Sequence, residues 1–380
     1  MNVSKKLPHI PLTRPTTPPF AEVAPHLEKV AASGFLTNAE YVRKLEARAV
    51  RMLDVPHAVA VSSATSGLML ACRLLGLTGE VIVPSFTFFA TADALLWNNL
   101  TPVFCDCGPE TFNADPQSVE RLITRKTSAI LAVHVFGNPA EIGALTRIAR
   151  AHRLKLIFDA AHGFGAAYKG GPLGKYGDAE VFSLSPTKLA PAGEGGIVTT
   201  RNRRLAAELK VARDYGNPGD YNCRIVGLNA RMAEWNAVFG WAALGRLPRL
   251  AAHRRKLVER YKRGLAGLPG LTFQRIPDSN VSSFKDFCVL IDPCASGFTR
   301  DELADFLARR NIDSRRYFFP PVHRQTAFRR FVQRGQRLPV TDFVSDNILA
   351  LPLYSHQAAA EVDRVMETVF RCYRKYGAQV

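Results

Sequence analysis

Between Ala58 and Thr200 the chain repeats one phrase: a short apolar run, a turn, then a helix-length segment. The runs are Ala58-Val59-Ala60-Val61, Val81-Ile82-Val83, Pro102-Val103-Phe104-Cys105, Ala129 to Phe136 and Leu154 to Phe158. Strands apolar on consecutive residues have no wet face, so both faces of their sheet must be covered. Helical segments between them, Ser66 to Leu77, Pro116 to Ile123 and Glu141 to His152, make the sheet largely parallel. An amphipathic helix over Thr37 to Leu53 precedes the series, with Tyr41, Leu45, Ala49 and Leu53 at helical spacing.

The rhythm changes near Leu247. A long basic helix, Arg249 to Leu268, is expected to end at Pro269-Gly270. An α+β unit then follows, with strands over Leu271 to Ile276 and Phe284 to Ile291. Its helices run from Thr299, boxed with Glu302, to Arg310 and from Ala359 to Tyr376. The division falls near residue 248, giving a larger unit over 1–248 with an N-terminal arm and a smaller one over 249–380. A chain of 380 residues accommodates both.

Composition narrows the function class. With 47% hydrophobic and 22% charged residues the chain reads as an ordinary globular protein. It has no apolar run long enough to span a membrane. The leader from Met1 to Phe20 carries prolines and no apolar core, so a secretory signal is not expected and a cytoplasmic location is. Seven scattered cysteines suggest no disulfide framework. Cys105-x-Cys107 lacks zinc-site spacing and reads as a structural thiol pair; no metal site is expected. A net charge of +17 leaves three partners open: nucleic acid, a membrane surface or a phosphorylated small molecule.

Ligands of parallel α/β sheets bind beyond the carboxyl ends of the strands. Four such places hold chemically useful residues. Asp159 closes the run Leu154 to Phe158, with His162 three residues on; alone, this also reads as a capping Asp and a surface His. Lys188 lies between the run Val181-Phe182-Ser183 and the turn Gly193-Glu194-Gly195-Gly196, which leads into the strand Ile197 to Thr200. Glycines permit close backbone approach, and a crowded lysine can shed its proton and form a Schiff base. The turn Ser62-Ser63-Ala64-Thr65-Ser66 opens a helix, which suits a phosphate or a simple cap. In Pro84-Ser85-Phe86-Thr87-Phe88-Phe89 three phenylalanines cannot all share one core, so one is free to stack on a planar ligand, although core packing suits any single one of them. Together these supply what pyridoxal phosphate needs: a phosphate cradle, an aromatic face, a carboxylate for the ring nitrogen and a lysine.

In this order, the motifs resemble those of the DegT/DnrJ/EryC1/StrS family of pyridoxal-phosphate-dependent aminotransferases. The resemblance runs from Ser33-Gly34-Phe35-Leu36-Thr37 to Leu351-Pro352-Leu353-Tyr354. It includes Pro84 to Thr91, Asp159-Ala160-Ala161-His162, Phe182-Ser183 with Lys188, Gly193 to Gly196, and Gly227-Leu228-Asn229-Ala230-Arg231-Met232. It implies fold type I of the pyridoxal-phosphate-dependent transferases, the aspartate-aminotransferase fold, with a large mostly parallel sheet and a small C-terminal unit. It further implies that Lys188 is the Schiff-base lysine, Asp159 the partner of the ring nitrogen and His162 a neighbour of the phenolic oxygen. Phe88 would stack on the ring. Ala64, Thr65 and Ser183 would hold the phosphate, reached also by Asn229 of a second subunit in a homodimer with shared active sites.

Several positions depart from the family pattern. Glycine and alanine have exchanged places in Ser63-Ala64-Thr65-Ser66-Gly67-Leu68, which threatens strain at Ala64. Ser185 stands three residues before the lysine, Asn236 where glutamine is common, and Ala39 where glycine is frequent.

The activity implied is amino transfer from an amino acid, L-glutamate by resemblance, to a nucleotide-linked keto-deoxysugar. Rival readings are a free cyclitol or another keto-compound as acceptor, and a non-catalytic regulator or nucleic-acid binder of the same fold. Ten arginines against four acidic residues between Arg300 and Arg337 suit a nucleotide diphosphate or a solvated face. No nucleic-acid-binding motif is present, so no nucleic-acid or membrane partner is expected.

Overall fold

The computed structural model describes residues 7–377; Lys5, Lys6 and the outermost ends of the two expected units lie outside the described residues. Strands β1 (His57–Val61), β2 (Glu80–Pro84), β3 (Thr101–Cys105), β4 (Thr127–Val133) and β5 (Lys155–Asp159) come first. A small hairpin, β6 (Ala167–Tyr168) and β7 (Gly171–Pro172), precedes β8 (Ala179–Ser183) and β9 (Gly196–Thr200). The main sheet has the order β1-β9-β8-β5-β4-β2-β3. Only β9 runs against its neighbours, so the sheet is mostly parallel, as its two-sided apolar strands require.

Both faces are covered. Ile82, Ala132, Phe158 and Phe182 meet the Glu40–Leu53, Ile142–Ala151 and Glu234–Leu265 helices on one side. Val81, Val83, Ile157 and Val181 meet the Ala64–Leu74 and Arg203–Ala212 helices on the other.

The second sheet is antiparallel, in the order β10 (Leu271–Phe273), β11 (Phe287–Ile291), β12 (Ile348–Leu351). Leu257, Tyr261 and Leu265 of the long helix and Val362, Val365 and Val369 of the last helix pack on one face. On its other face Cys288, Leu290 and Ala350 join Phe86, Val135 and Phe136 from beyond the carboxyl ends of the main strands. A shared apolar cluster therefore seats the small sheet against the edge where a ligand would sit. The architecture is the α/β type expected, a large mostly parallel sheet and a smaller α+β unit.

Five local expectations change. The long helix begins at Glu234 rather than Arg249, and Pro248 lies inside it. The change of rhythm at Leu247 thus marks a change of core, since this one helix serves both. The strand expected over Phe284 to Ile291 starts at Phe287, because the Lys285 N–H donates instead to Phe136 O at 3.0 Å. The run from Ala129 leaves the sheet at Val133 and turns through Val135–Gly137. The first helix of the series starts at Glu40, not Thr37, where Glu234 caps it from a distance. Ala64 is unstrained: it is the first residue of its helix and lies outside the positive-φ positions. Gly67 explains the exchange, for a Cβ there would fall 2.9 Å from Val181 Cγ1 and from Val198 Cγ2.

Cys105 and Cys107 are both buried free thiols, Cys107 pushed up to about 12 by burial.

Candidate active site

Asp159 is the last residue of β5, and its side chain turns into the protein. Its carboxylate accepts from Thr91 Oγ1 at 2.8 Å and from Ala161 N at 3.0 Å. Among the described residues no basic group lies within ion-pair distance of it. Burial pushes its carboxyl above the ordinary range; the bonds from Thr91 and Ala161, then Lys188 and His134, oppose this. A buried carboxylate with donors and no cation is a site for a cationic ligand atom.

The turn after β5 places His162 beside it. Its carbonyl accepts from Ser283 Oγ at 2.6 Å, while its Nδ1 is sealed from solvent and has no partner. Enclosure holds the imidazole well below its usual range, and Lys188 and Lys285 add to the effect.

Lys188 reaches the same cavity from the loop after β8. The walls include Ala161, His162, Phe164, Ser183 and Lys285. Burial lowers the amine to about 8, with Lys285 the next contributor, against the pull of Asp286, Asp159 and Glu194. The loop is folded by Lys188 N on Ser185 O at 3.0 Å, and Ala192 N on Leu184 O at 2.7 Å closes it. Asn236 fastens the glycine turn, donating to Glu194 O at 2.8 Å.

Gly196, paired with Ser183 across the strands, presses on the helix opening: a Cβ there would lie 2.7 Å from Ala64 N and from Ser63 C. This brings the first-turn N–H groups of Ala64 and Thr65 to the Ser183 side of the sheet. Ser63 caps that helix, accepting from Ser66 N at 3.0 Å.

Of the three phenylalanines, Phe86 is in the core, whereas Phe88 and Phe89 are exposed with ring centroids 4.0 Å apart. They line a cleft of about 620 Å³ whose other wall carries Arg315, Arg316, Tyr317 and Phe319. Three arginines of the expected basic stretch are paired with acids: Arg300 and Arg316 with Asp301, and Arg324 with Asp342 and Asp346. Arg315 faces the cleft beside Tyr317, which it meets at 3.4 Å.

The chain thus brings Asp159, His162, Ser183 and Lys188 together and sets Ala64 and Thr65 next to them. Asn229 is exposed and does not line this cavity; its Oδ1 accepts from Arg231 at 3.1 Å. Ser283 and Lys285 also belong to the site and carry no sequence signal of their own, and Thr91, within the Pro84 to Thr91 motif, joins it through Asp159.

The chain is similar to known proteins over nearly its whole length. The sequence model of the DegT/DnrJ/EryC1/StrS aminotransferase family matches residues 21–370. A dTDP-4-amino-4,6-dideoxy-D-glucose transaminase of Escherichia coli is 34% identical, over 91% of this chain and 94% of that one. A pleiotropic regulatory protein of Geobacillus stearothermophilus is 31% identical, over 93% and 95%. The crystal structure of DesI in the presence of its TDP-sugar product superposes with a TM-score of 0.91, at 36% identity, covering 96% of this chain and 93% of that one.

Proposed function

The chain belongs to the DegT/DnrJ/EryC1/StrS aminotransferase family, and from that premise we propose that it carries an amino group from an amino acid, L-glutamate, to a nucleotide-linked keto-deoxysugar. The observation that carries the reading is Asp159: a buried carboxylate, held by donors and lacking a cation, within electrostatic reach of an amine lowered to about 8. These residues fit pyridoxal phosphate. That cofactor, when bound, supplies an aldehyde carbon for the amino group and a ring that draws electrons from the reacting carbon.

Each residue then has a task. Asp159 holds a proton on the ring nitrogen, and Thr91 fixes the carboxylate that does so. Lys188 Nζ anchors the aldehyde carbon between turnovers. In the first half-reaction it takes the proton from the donor's α-carbon; in the second it delivers one to the sugar carbon that gains nitrogen. His162, kept neutral, offers its unpartnered Nδ1 to the phenolic oxygen. The N–H groups of Ala64 and Thr65, with the hydroxyls of Thr65 and Ser183, hold the phosphate. Phe88 covers the ring. The cleft beyond it, with Arg315, suits the diphosphate end of the acceptor.

The exposed Asn229 belongs, in this reading, to the site of a second subunit. Exposed Phe35, Trp97, Tyr221 and Val226 support a homodimer that covers them. The two structural units divide along the Glu234–Leu265 helix, near residue 248. Among the described residues no helix is long and apolar enough to cross a membrane, and we place the enzyme in the cytoplasm. The regulatory name of one relative favours a second reading, a regulator of the same fold.

Incubating the cofactor-loaded enzyme with L-glutamate and then with a panel of nucleotide keto-sugars tests the proposal. Wild type is expected to aminate at least one of them and Lys188→Ala none. Turnover by the Lys188→Ala variant would overturn the assignment, and a chain inert to every nucleotide keto-sugar but active on a free cyclitol would overturn the acceptor.

A further inference from the structure

Lys285 lines the Lys188 cavity, yet it comes from the segment that leads into β11. That segment is tied to the turns beyond β4 and β5 by Ser283 N on Gly137 O at 3.2 Å, Ser283 Oγ on His162 O at 2.6 Å and Lys285 N on Phe136 O at 3.0 Å. From behind, Arg254 donates to Phe284 O and Lys285 O at 2.7 Å each. The Lys285 ammonium bonds Asp286 Oδ1 at 2.7 Å, the two side chains being 3% and 7% exposed, and the Tyr317 ring lies 5.9 Å away. A sealed ion pair of this kind adds little net stability, because desolvation offsets the attraction. Its position relative to Lys188 is the more telling fact.

We propose that Lys285 is a positioning residue for Lys188: a pinned cation on the cavity wall that disfavours a second positive charge on the reacting amine, with Asp286 moderating its effect. The consequence for catalysis rests on the aminotransferase reading. The charged groups acting on Lys188 are Asp159 at the end of β5, Glu194 in the glycine turn, and Lys285 with Asp286, and His162 from the turn after β5 shares its cavity wall. Three of these are acidic and favour a protonated amine, while His162 is held neutral and supplies no charge. Lys285 is the group among them that acts the other way, second only to burial. Because Ser283 grips the His162 carbonyl, the two walls of the cavity move together, and the separation of the lysines is held.

The test is the pH dependence of Lys188 acetylation by trace acetic anhydride, read by mass spectrometry of the Lys188 peptide in the full-length chain freed of cofactor. Wild type is expected to label with a midpoint near pH 8. Lys285→Gln, which keeps a donor for Asp286, raises the midpoint and slows labelling at pH 7 by roughly 3- to 10-fold. Lys285→Arg restores the wild-type midpoint, and Asp286→Asn lowers it. A midpoint unmoved in Lys285→Gln overturns the proposal. If that variant does not fold, Asp286→Asn decides, and an unmoved or raised midpoint there overturns it. Protection of Lys188 by added pyridoxal phosphate reports on the cofactor reading separately.

Discussion

Thr91 Oγ1 lies 2.8 Å from Asp159 Oδ2, joining the helix after β2 to the end of β5. Thr87 Oγ1 lies 2.9 Å from the same hydroxyl, so the carboxylate is oriented by a pair of threonines. Orientation without charge compensation leaves the fold carrying a cost that a cationic ligand relieves.

Asp159→Asn should therefore raise the melting temperature of the cofactor-free chain at pH 7.5, by about 2 °C or more, while abolishing transamination. The sign follows from the raised carboxyl. Its folded value lies above the unfolded one, so its contribution is present at low pH and lost as pH rises through the folded value. Asn has no such loss, and the gap between variant and wild type should close as the pH falls. A wild type more stable at pH 7.5 in thermal scans would contradict this.

Thr91→Val keeps the volume and removes the hydroxyl. The Asp159 carboxylate then loses its side-chain donor, and kcat should fall roughly 10-fold, the equivalent of about 1.4 kcal/mol. Steady-state kinetics check it, with circular dichroism confirming an unchanged fold.

Capture of pyridoxal phosphate by the cofactor-free chain requires a neutral Lys188 amine. With that amine lowered to about 8, the capture rate should climb about tenfold per pH unit below pH 8 and level off above it. Stopped-flow absorbance across pH 6 to 10 gives the profile; a midpoint near 10 would show an amine that the cavity leaves unperturbed.

Glu234→Ala should lower stability by about 3 kcal/mol. Its buried carboxylate accepts from Ala39 N at 2.9 Å, Tyr41 N at 2.6 Å and Val42 N at 3.0 Å, the opening N–H groups of the Glu40–Leu53 helix. Glu234→Gln keeps one acceptor and should lose about half as much, measured by urea unfolding.

The main sheet was legible because burial on both faces writes consecutive apolar residues. The runs at 58–61, 81–83 and 102–105 each lie inside the observed strands, and 154–158 overlaps β5, which starts one residue later. β12 was not legible: Ile348–Leu351 follows the Pro339–Asn347 helix without a turn between them. The Phe20–Ser33 helix was hidden by its prolines, with Pro19 before it and Pro25 inside. In the candidate site, Asp159, His162, Ser183 and Lys188 were legible as candidates because each closes or follows a strand that the pattern reveals. Lys285 and Ser283 follow no such strand. Their meaning arises from pairing with residues more than a hundred positions away, at Phe136, Gly137 and His162, and no local pattern encodes that.

The Glu234–Leu265 helix joins two of these elements. At its start Glu234 grips the 39–42 turn, and twenty residues on, about 30 Å along its axis, Arg254 grips the backbone of Phe284 and Lys285. A rod of that length passes torsion from end to end. Both anchorages sit on one rod, so a substitution that frees Glu234 from the 39–42 turn is expected to loosen the lysine wall as well.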